Sequence, residues 1–188
     1  RGREDLLTVS RGGTSSDGAV VRDSEAQTRR GDTVGGLTVR AYSLDVRSVG
    51  AGGGSSAHMS ELTRALRVGP QSAGAEPGPA GYGKGGTEPT VTDANLVLGR
   101  LSPDPFGASG IDLSPEAADT ALAGGVGTYL GLDATEAALG VTEVVDENMA
   151  NAARVHAVES GKDMSNFTMI AFGGGAPLHA SRLCDKLD

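Results

Sequence analysis

Three glycine clusters, each directly after a β-prone run, restrict the fold of this 188-residue chain more than any other feature of its sequence. They are Gly12–Asp17 (GGTSSD), Gly50–Ser55 (GAGGGS) and Gly173–Ala176 (GGGA). Glycine loses more backbone entropy on folding than any other residue, so an ordered glycine cluster needs a structural reason. Such a cluster is either a flexible linker or a place where something approaches the backbone too closely for a Cβ atom.

A nucleotide cleft explains these clusters better than linkers do. A glycine turn lets backbone N–H groups point at a phosphate, and a helix N-terminus that follows adds a favourable dipole. The first cluster is not a Walker loop, because no Gly-Lys-Ser/Thr follows it. None of the clusters has the pattern Gly-x-Gly-x-x-Gly, which disfavours a Rossmann dinucleotide site. The sequence therefore predicts several turns whose backbone amides converge on one anion pocket.

Composition and charge exclude several classes of function. The formal net charge is −8, and binding to nucleic-acid phosphates needs Lys/Arg patches, so we expect no nucleic-acid partner. No apolar run is long enough to span a bilayer, so we expect no membrane partner. The single cysteine, Cys184, excludes an internal disulfide and a cysteine-based zinc cluster. It also suits a reducing compartment, and we expect a cytoplasmic protein.

Strand patterns prevail early in the chain and helical patterns later. Residues 6–9, 19–22, 37–46 and 167–172 are typical of strands, and the first two flank a glycine turn as in a hairpin. The polar stretch 23–36 is interpreted as an exposed loop. Strands and helices in one chain of this length indicate a mixed α/β architecture.

Helix starts are well marked in the second half. Ser114-Pro115-Glu116 combines a cap residue, a first-turn proline and an acid, which predicts a helix that ends at Gly131. The stretch 133–136 resembles a capping box and should begin a helix that ends at Gly161. A shorter helix is predicted over 91–98, and another over 178–187. The apolar face of the helix after the capping box comprises Ala138, Val141, Val145, Met149 and Ala152.

Two details of the helical part remain open at this level. The cap of the 91–98 helix is either Thr92 or Asp93. The Gly/Pro-rich stretch 69–90 has the composition of a linker, yet it is not of low complexity and leads directly into that helix.

Four strings of the sequence resemble the hydantoinase/oxoprolinase family, and in particular its hydantoinase A-type subunit. They are GGTSSD (12–17), SVGAGGGSSA (48–57), VGPQSAGAEPGPAGYGKGGTEPTVTDANLVLGRL (68–101) and FTMIAFGGGAPLHASRL (167–183). The resemblance implies an α/β fold of the actin-like ATPase (ribonuclease H-like) class, namely a lobe with a mixed sheet and flanking helices. It further implies that the chain corresponds to a later part of a larger, two-lobed subunit.

The same resemblance implies a chemistry. The family uses ATP with Mg²⁺ to activate a cyclic amide or a ketone by phosphorylating an oxygen atom, after which the ring opens or the ketone is carboxylated. The expected function is an ATP-dependent hydrolase subunit that opens a cyclic amide of the hydantoin or 5-oxoproline type. A B-type subunit is the expected partner, and a homo-oligomer is compatible with the pattern. An ATP-dependent ketone carboxylase subunit is an alternative that the sequence does not separate.

Site residues are implied by position in the matching strings. Asp17 would be a catalytic residue and a metal ligand, and Asp45, just before the second glycine cluster, would act as a base or hold a metal through water. The nucleotide would be bound by residues in four places. These are Gly12, Gly13, Thr14 and Ser15 at the phosphates; Gly50, Gly52, Gly53, Gly54 and Ser55 as a second backbone cradle; Gly173, Gly174 and Gly175 near the adenosine; and Thr92 and Asp93 in the string TVTDAN.

The chain departs from the family pattern at three of these places. Ser10 and Arg11 stand where the family usually has Asp-Met, and Arg11 is expected to neutralise phosphate charge instead. Ala176 follows three glycines where a Gly-Ala-Gly order is usual, and it would be strained if a positive φ were required there. These departures favour a second alternative, a catalytically impaired subunit that acts by assembly with the B-type partner.

One domain is expected over 1–188. It would comprise a strand-rich phosphate-loop part (1–57), a Gly/Pro-rich loop region with a short helix (58–112) and a helical part with a final strand, turn and helix (113–188).

Several polar residues have plain structural interpretations. His179 is expected to be partly buried and bonded to backbone rather than to act as a base. Glu143, Asp146 and Glu147 are expected to form an exposed helix face.

Overall fold

A mixed sheet and one long helix organise the fold. The computed structural model describes residues 5–103, 111–159, 161, 163 and 167–187. Its strands are β1 (Leu6–Arg11), β2 (Ser16–Arg22), β3 (Glu25–Ala26), β4 (Thr28–Val34), β5 (Leu37–Leu44), β6 (Val46–Val49), β7 (Ser55–Met59), β8 (Leu66–Ser72) and β9 (Thr168–Phe172). Its α-helices are α1 (Val91–Val97), α2 (Pro115–Leu122), α3 (Thr128–Leu130), α4 (Ala134–Glu159) and α5 (Ala180–Leu187). Among these helices none combines the length and apolar character needed to cross a bilayer.

The sheet places the ends of three strands at one edge. β1 pairs antiparallel with β2 and parallel with β9. β6 pairs antiparallel with β2, so it runs in the same direction as β1. The carboxyl ends of β1, β6 and β9 therefore lie at the same edge of the sheet, and each is followed by one of the glycine clusters. This is the mixed sheet with flanking helices that the resemblance implied.

The core lies between this sheet and α4. Leu7 and Val9 of β1 and Val20 of β2 are buried in one cluster with residues of α4. Helix α4 begins with the expected capping box, because the Asp133 amide donates to Glu136 and the Glu136 amide donates to Asp133. The predicted apolar face is confirmed, since it supplies the buried residues Ala138, Val141, Val145 and Met149.

The prediction of an exposed loop over 23–36 is wrong. This stretch contains the whole of β3 and β4, and β4 pairs with β5 in an antiparallel hairpin. Cross-strand hydrogen bonds stabilise these polar residues as strands, although their side chains bury little surface. The hairpin instead exposes large apolar side chains of β5, with Leu37 73% and Tyr42 74% exposed.

The Gly/Pro-rich stretch before α1 is ordered rather than a linker. The turn Ala80–Tyr82 packs against α1 and α2, and the Gly81 carbonyl accepts a hydrogen bond of 2.7 Å from the Ser114 amide. The cap of α1 is Thr90, and neither Thr92 nor Asp93 takes that place. Asp93 completes the capping box from the third helical position, with its carboxylate 2.8 Å from the Thr90 amide.

The helix predicted from Ser114 to Gly131 is present but not uniform. Ser114 caps it as expected, and Gly131 ends it with φ +69°. Between α2 and α3 the turns widen to a π-helix over Ala123–Gly127, where three glycines lower the helical propensity.

Asp93 is expected to be a main determinant of stability in this region. Its carboxylate is fully buried and accepts hydrogen bonds from the Gly81 amide, the Thr90 amide and the Thr90 hydroxyl. Asp93→Ala leaves three buried donors unpaired, so we expect a loss of about 3 kcal/mol in the free energy of unfolding.

Urea unfolding of the wild type and the variant measures this loss. The matched control is Asp119→Ala, which removes an exposed carboxylate from α2. Equal stability losses in the two variants would contradict the assignment.

Candidate functional site

The three glycine clusters meet at one cavity of about 370 Å³. Its wall includes Gly12 and Gly13 from the turn after β1, Gly53 from the turn after β6, and Gly174 and Gly175 from the turn after β9. The convergence predicted from the sequence is thus present in the structure.

Direct backbone contacts join the first and second turns. The Gly53 amide donates to the Gly12 carbonyl over 3.0 Å, and the Gly54 amide donates to the Gly13 carbonyl over 2.6 Å. A Cβ atom on Gly52 would lie 2.4 Å from the Thr14 nitrogen and 2.5 Å from the Gly13 oxygen. Both atoms belong to the backbone, so position 52 accepts only glycine without a shift of the first turn.

The third turn packs on Arg11, at the end of β1. The Gly175 amide donates to the Arg11 carbonyl over 3.2 Å. Gly173 has φ +84°, and a Cβ there would lie 2.8 Å from the Arg11 oxygen. The positive φ in this turn is therefore taken by Gly173, and the strain considered for Ala176 is absent because its φ is not positive.

In the second glycine cluster the amides of residues 52–55 are not available to a ligand. The Gly52 amide donates to the Ser55 hydroxyl, the Ser55 amide donates to the Gly52 carbonyl, and the Gly53 and Gly54 amides hold the first turn. Its role is to support the first turn, rather than to form the expected cradle. Within the described part of the chain, no hydrogen bond uses the amides of Gly13, Thr14 and Gly174. Those three N–H groups are therefore unused among the described residues.

A buried cation lies behind the glycine turns. The Arg11 side chain is 1% exposed, and its terminal nitrogens donate to the Gly52 carbonyl at 3.2 Å and to the Met149 sulfur at 3.6 Å. Its Nε has no hydrogen-bond partner among the described residues. Burial lowers the pKa of Arg11 to about 10, against the opposite effect of the Asp146 charge, so the side chain is protonated at neutral pH.

The sequence-based interpretation of Asp146 and His179 is wrong. Asp146 is 1% exposed rather than on an exposed helix face, and it lies 2.5 Å from His179 Nδ1. His179 is fully buried and contacts the Asp146 and Asn95 side chains instead of backbone. Burial lowers the pKa of His179, against the opposite effect of the Asp146 hydrogen bond, so the imidazole is neutral at pH 7.

Asn95 is a cavity residue that the sequence reasoning missed. It lies one helical turn after Thr92, and both side chains line the cavity. The spacing of three in the string TVTDAN is the signal that could have identified it. The rest of the wall comprises the buried Arg11 and the largely apolar side chains of Tyr82, Leu101, Ile111, Leu113 and Leu178.

The other predicted site residues lie away from the cavity wall. Thr14 is exposed beside it, and Asp93 is committed to capping α1. Asp17 accepts a hydrogen bond of 2.5 Å from the Ser48 hydroxyl, and Asp45 lies 3.8 Å from His156 Nε2 and 3.9 Å from Arg29. Among the described residues that line the cavity there is no carboxylate.

Comparison with known proteins identifies the class. The chain belongs to the hydantoinase/oxoprolinase family, whose model matches residues 1–188. It is 37% identical over 186 residues to the alpha subunit of caprolactamase from Pseudomonas jessenii, covering 99% of this chain and 27% of that protein. It is 38% identical over 184 residues to the gamma subunit of acetophenone carboxylase from Aromatoleum aromaticum, covering 97% and 25%.

Solved structures of two such enzymes have the same fold. The crystal structure of the ATP-dependent caprolactamase from Pseudomonas jessenii matches with a TM-score of 0.90 at 37% identity, covering 99% of this chain and 27% of that one. The nucleotide-free structure of acetone carboxylase matches with a TM-score of 0.88 at 29% identity, covering 98% and 26%. The chain spans about a quarter of the length of these relatives.

Gly52 is predicted to be indispensable for the arrangement of the site. Gly52→Ala drives a Cβ into the backbone of Gly13 and Thr14, so we expect a loss of about 3 kcal/mol in the free energy of unfolding. Chemical unfolding measures it, with Gly124→Ala as control because a Cβ at Gly124 meets nothing within 4 Å. A Gly52→Ala protein as stable as the control would show that the two turns are not in the close contact described.

Proposed function

We propose that this chain forms the nucleotide-binding wall of an ATP-dependent enzyme subunit that opens a cyclic amide of the hydantoin or 5-oxoproline type. The observation that carries the proposal is the meeting of three glycine turns at one cavity, with unused amides at Gly13 and Gly174 in its wall and at Thr14 beside it. Family membership and the likeness to an ATP-dependent caprolactamase support it.

The cavity suits the two chemically different halves of ATP. A Cβ on Gly12 or Gly13 would meet no protein atom within 4 Å, so this side of the cavity has room that a ligand can occupy. The bare amides there are donors for phosphate oxygens, and the buried positive charge of Arg11 favours an anion. Elsewhere in the wall, Leu101, Ile111 and Leu113 offer an apolar surface to the base.

In the proposed reaction, ATP bound here would transfer its terminal phosphoryl group to the amide oxygen of the substrate and leave as ADP. Water would then attack the activated amide carbon, the ring C–N bond would break, and a second water would release the phosphate. The residues of this chain bind and orient. Gly13, Thr14 and Gly174 donate hydrogen bonds from their N–H groups to the phosphates. The buried positive charge of Arg11 compensates part of the negative charge of the phosphates. The apolar wall excludes water. The backbone donors are held by the packed turns, so little reorganisation is needed when charge shifts on the phosphates.

The described residues do not fit a protein-bound magnesium ion. No carboxylate among them lines the cavity, and no group of three His, Cys, Asp or Glu within the described ranges could hold a metal. Mg²⁺ belongs to the proposal as an ion carried by the nucleotide phosphates and water. Asp17 and Asp45 have no part in it, because each is paired away from the cavity.

The proposal includes a partner subunit of the B type. The relatives from Pseudomonas jessenii and Aromatoleum aromaticum are themselves subunits of larger enzymes. The sequence has one cysteine, Cys184, and so no internal disulfide, which is compatible with a reducing compartment and supports a cytoplasmic location.

A ketone carboxylase subunit is the second candidate function. The identity to the acetophenone carboxylase subunit, 38%, is as high as that to caprolactamase, and the acetone carboxylase fold matches almost as well. Turnover assays with ATP separate the two: lactams and hydantoins test ring opening, and ketones with bicarbonate test carboxylation. Stable assembly without ATP turnover would instead favour the impaired subunit.

Hydrogen exchange of the full-length protein with and without ATP tests the cavity assignment. We expect ATP to slow exchange at Gly13, Thr14 and Gly174 by about tenfold or more, because these amides gain acceptors. The amides of residues 52–55, which are already hydrogen-bonded, should change little, and those of β4 and β5 serve as the unaffected reference. Unchanged exchange at the three amides at millimolar ATP would refute nucleotide binding here.

Gly13→Val gives a matched test at the level of affinity. Its Cβ would meet no protein atom within 4 Å and its branched side chain would fill ligand space, so ATP should bind at least about tenfold more weakly while the melting temperature is retained. Gly124→Val is the control, since that position also has free space but lies outside the cavity. Equal ATP affinity in both variants would count against the proposed site.

A further inference from the structure

A buried row of three side chains ends at the cavity. Asp146, His179 and Asn95 are 1%, 0% and 4% exposed. His179 Nδ1 lies 2.5 Å from Asp146 Oδ1, and its Nε2 lies 3.0 Å from the side-chain nitrogen of Asn95. Asn95 is the member of this row that lines the cavity.

Hydrogen-bond chemistry fixes which way the Asn95 amide points. A neutral imidazole has one donor nitrogen and one acceptor nitrogen. The Asp146 carboxylate can only accept, so Nδ1 carries the proton and Nε2 accepts from the Asn95 NH₂ group. Rotation of the amide by 180° would set two acceptors against each other, so Asn95 Oδ1 is directed away from His179.

Asn95 Oδ1 lacks a partner. It is a buried oxygen without a hydrogen-bond donor among the described residues. A buried acceptor without a donor is unfavourable, and a ligand that supplies the donor gains the bond.

The surroundings of Asn95 indicate where on the ligand that donor lies. The main-chain carbonyl of Asn95 accepts hydrogen bonds from the Arg100 and Leu101 amides at 2.9 and 3.1 Å. These bonds bring Leu101 to the cavity beside Asn95. Leu101 belongs to the apolar wall that also includes Ile111 and Leu113. Apolar walls around one polar acceptor suit a planar heterocycle that carries a single donor group.

We infer that the side-chain carbonyl of Asn95 accepts a hydrogen bond from the exocyclic amine of adenine, and that Asp146 and His179 hold Asn95 in the required orientation. This inference rests on the proposed function, in which the cavity binds ATP. Asn95 is then the residue that selects adenine over hypoxanthine, because hypoxanthine has a carbonyl oxygen in place of the amine. Asp146 and His179 are positioning residues.

Calorimetric titration of the full-length protein with ATP and ITP tests the contact with the base. We expect the wild type to bind ATP about tenfold more tightly than ITP, since a buried acceptor is left unpaired with ITP. Asn95→Ala should lower the affinity for ATP and abolish this preference. Asn148→Ala, an exposed asparagine on α4, is the control and should behave like the wild type.

The positioning role has its own readout. His179→Phe removes the acceptor that orients Asn95, so the amide can rotate and donate to the ITP carbonyl. The ratio of ATP to ITP affinity should then fall towards one because ITP binding improves. A purely structural role would weaken both nucleotides alike and leave the ratio unchanged, and that result would overturn the positioning assignment.

The possible failures are distinguishable. If the wild type binds no nucleotide, the proposed function itself is wrong. If it binds ATP and ITP equally, or if Asn95→Ala weakens both to the same degree, only the Asn95 assignment is wrong. If 2′-deoxy-ATP loses the same affinity that Asn95→Ala removes, the donor is the ribose and the assignment to the base is overturned.

Discussion

Two backbone hydrogen bonds, from the Gly53 and Gly54 amides to the Gly12 and Gly13 carbonyls, are the contact on which the site depends. In these bonds the first turn uses its carbonyl groups to hold the second. The N–H groups of Gly13 and Thr14 take no part in them and are, in the proposed function, donors to a ligand. A side chain at position 52 would keep the two turns apart, because its Cβ atom would lie 2.4 Å from the Thr14 nitrogen. The second cluster thus supports the first, and the first has the unused donors.

Strand direction explains why this contact can form at all. β1, β6 and β9 run in the same direction, although β1 and β6 are joined only through the antiparallel β2. Each strand ends at the same edge and is followed by glycines, so three distant parts of the sequence become one surface. The core between the sheet and α4 fixes this edge, and α1 closes it with Thr92 and Asn95.

The sequence was sufficient for the start and buried face of α4, because these depend on local patterns and periodicity. The fold class and the meeting of the glycine turns could be predicted because three strand-like segments share one layout and the strings resemble a known family. The sequence was insufficient where long-range contacts decide. Nothing local distinguishes Gly53, whose amide binds another turn, from Gly13, whose amide is unused. Asp146 looked like a surface acid because burial of a charge follows from partners such as His179, 33 positions away. The stretch 23–36 was taken for a loop because pairing, rather than burial, makes β4 a strand.

Arg11 limits how the interior of this chain can change in evolution. It stands where the resemblance implies a methionine, yet it is buried with the carboxylate of Asp146 as its compensating charge. The two buried charges attract each other, so removal of one leaves the other with less compensation. Methionine at this position would therefore remove the positive charge that compensates Asp146. The hydrogen bonds from Asp146 through His179 to Asn95 would be weakened with it. Arg11, Asp146, His179 and Asn95 are therefore expected to be substituted together. In a homologue with methionine at position 11, we expect either a neutral residue in place of Asp146 or another positive charge beside it.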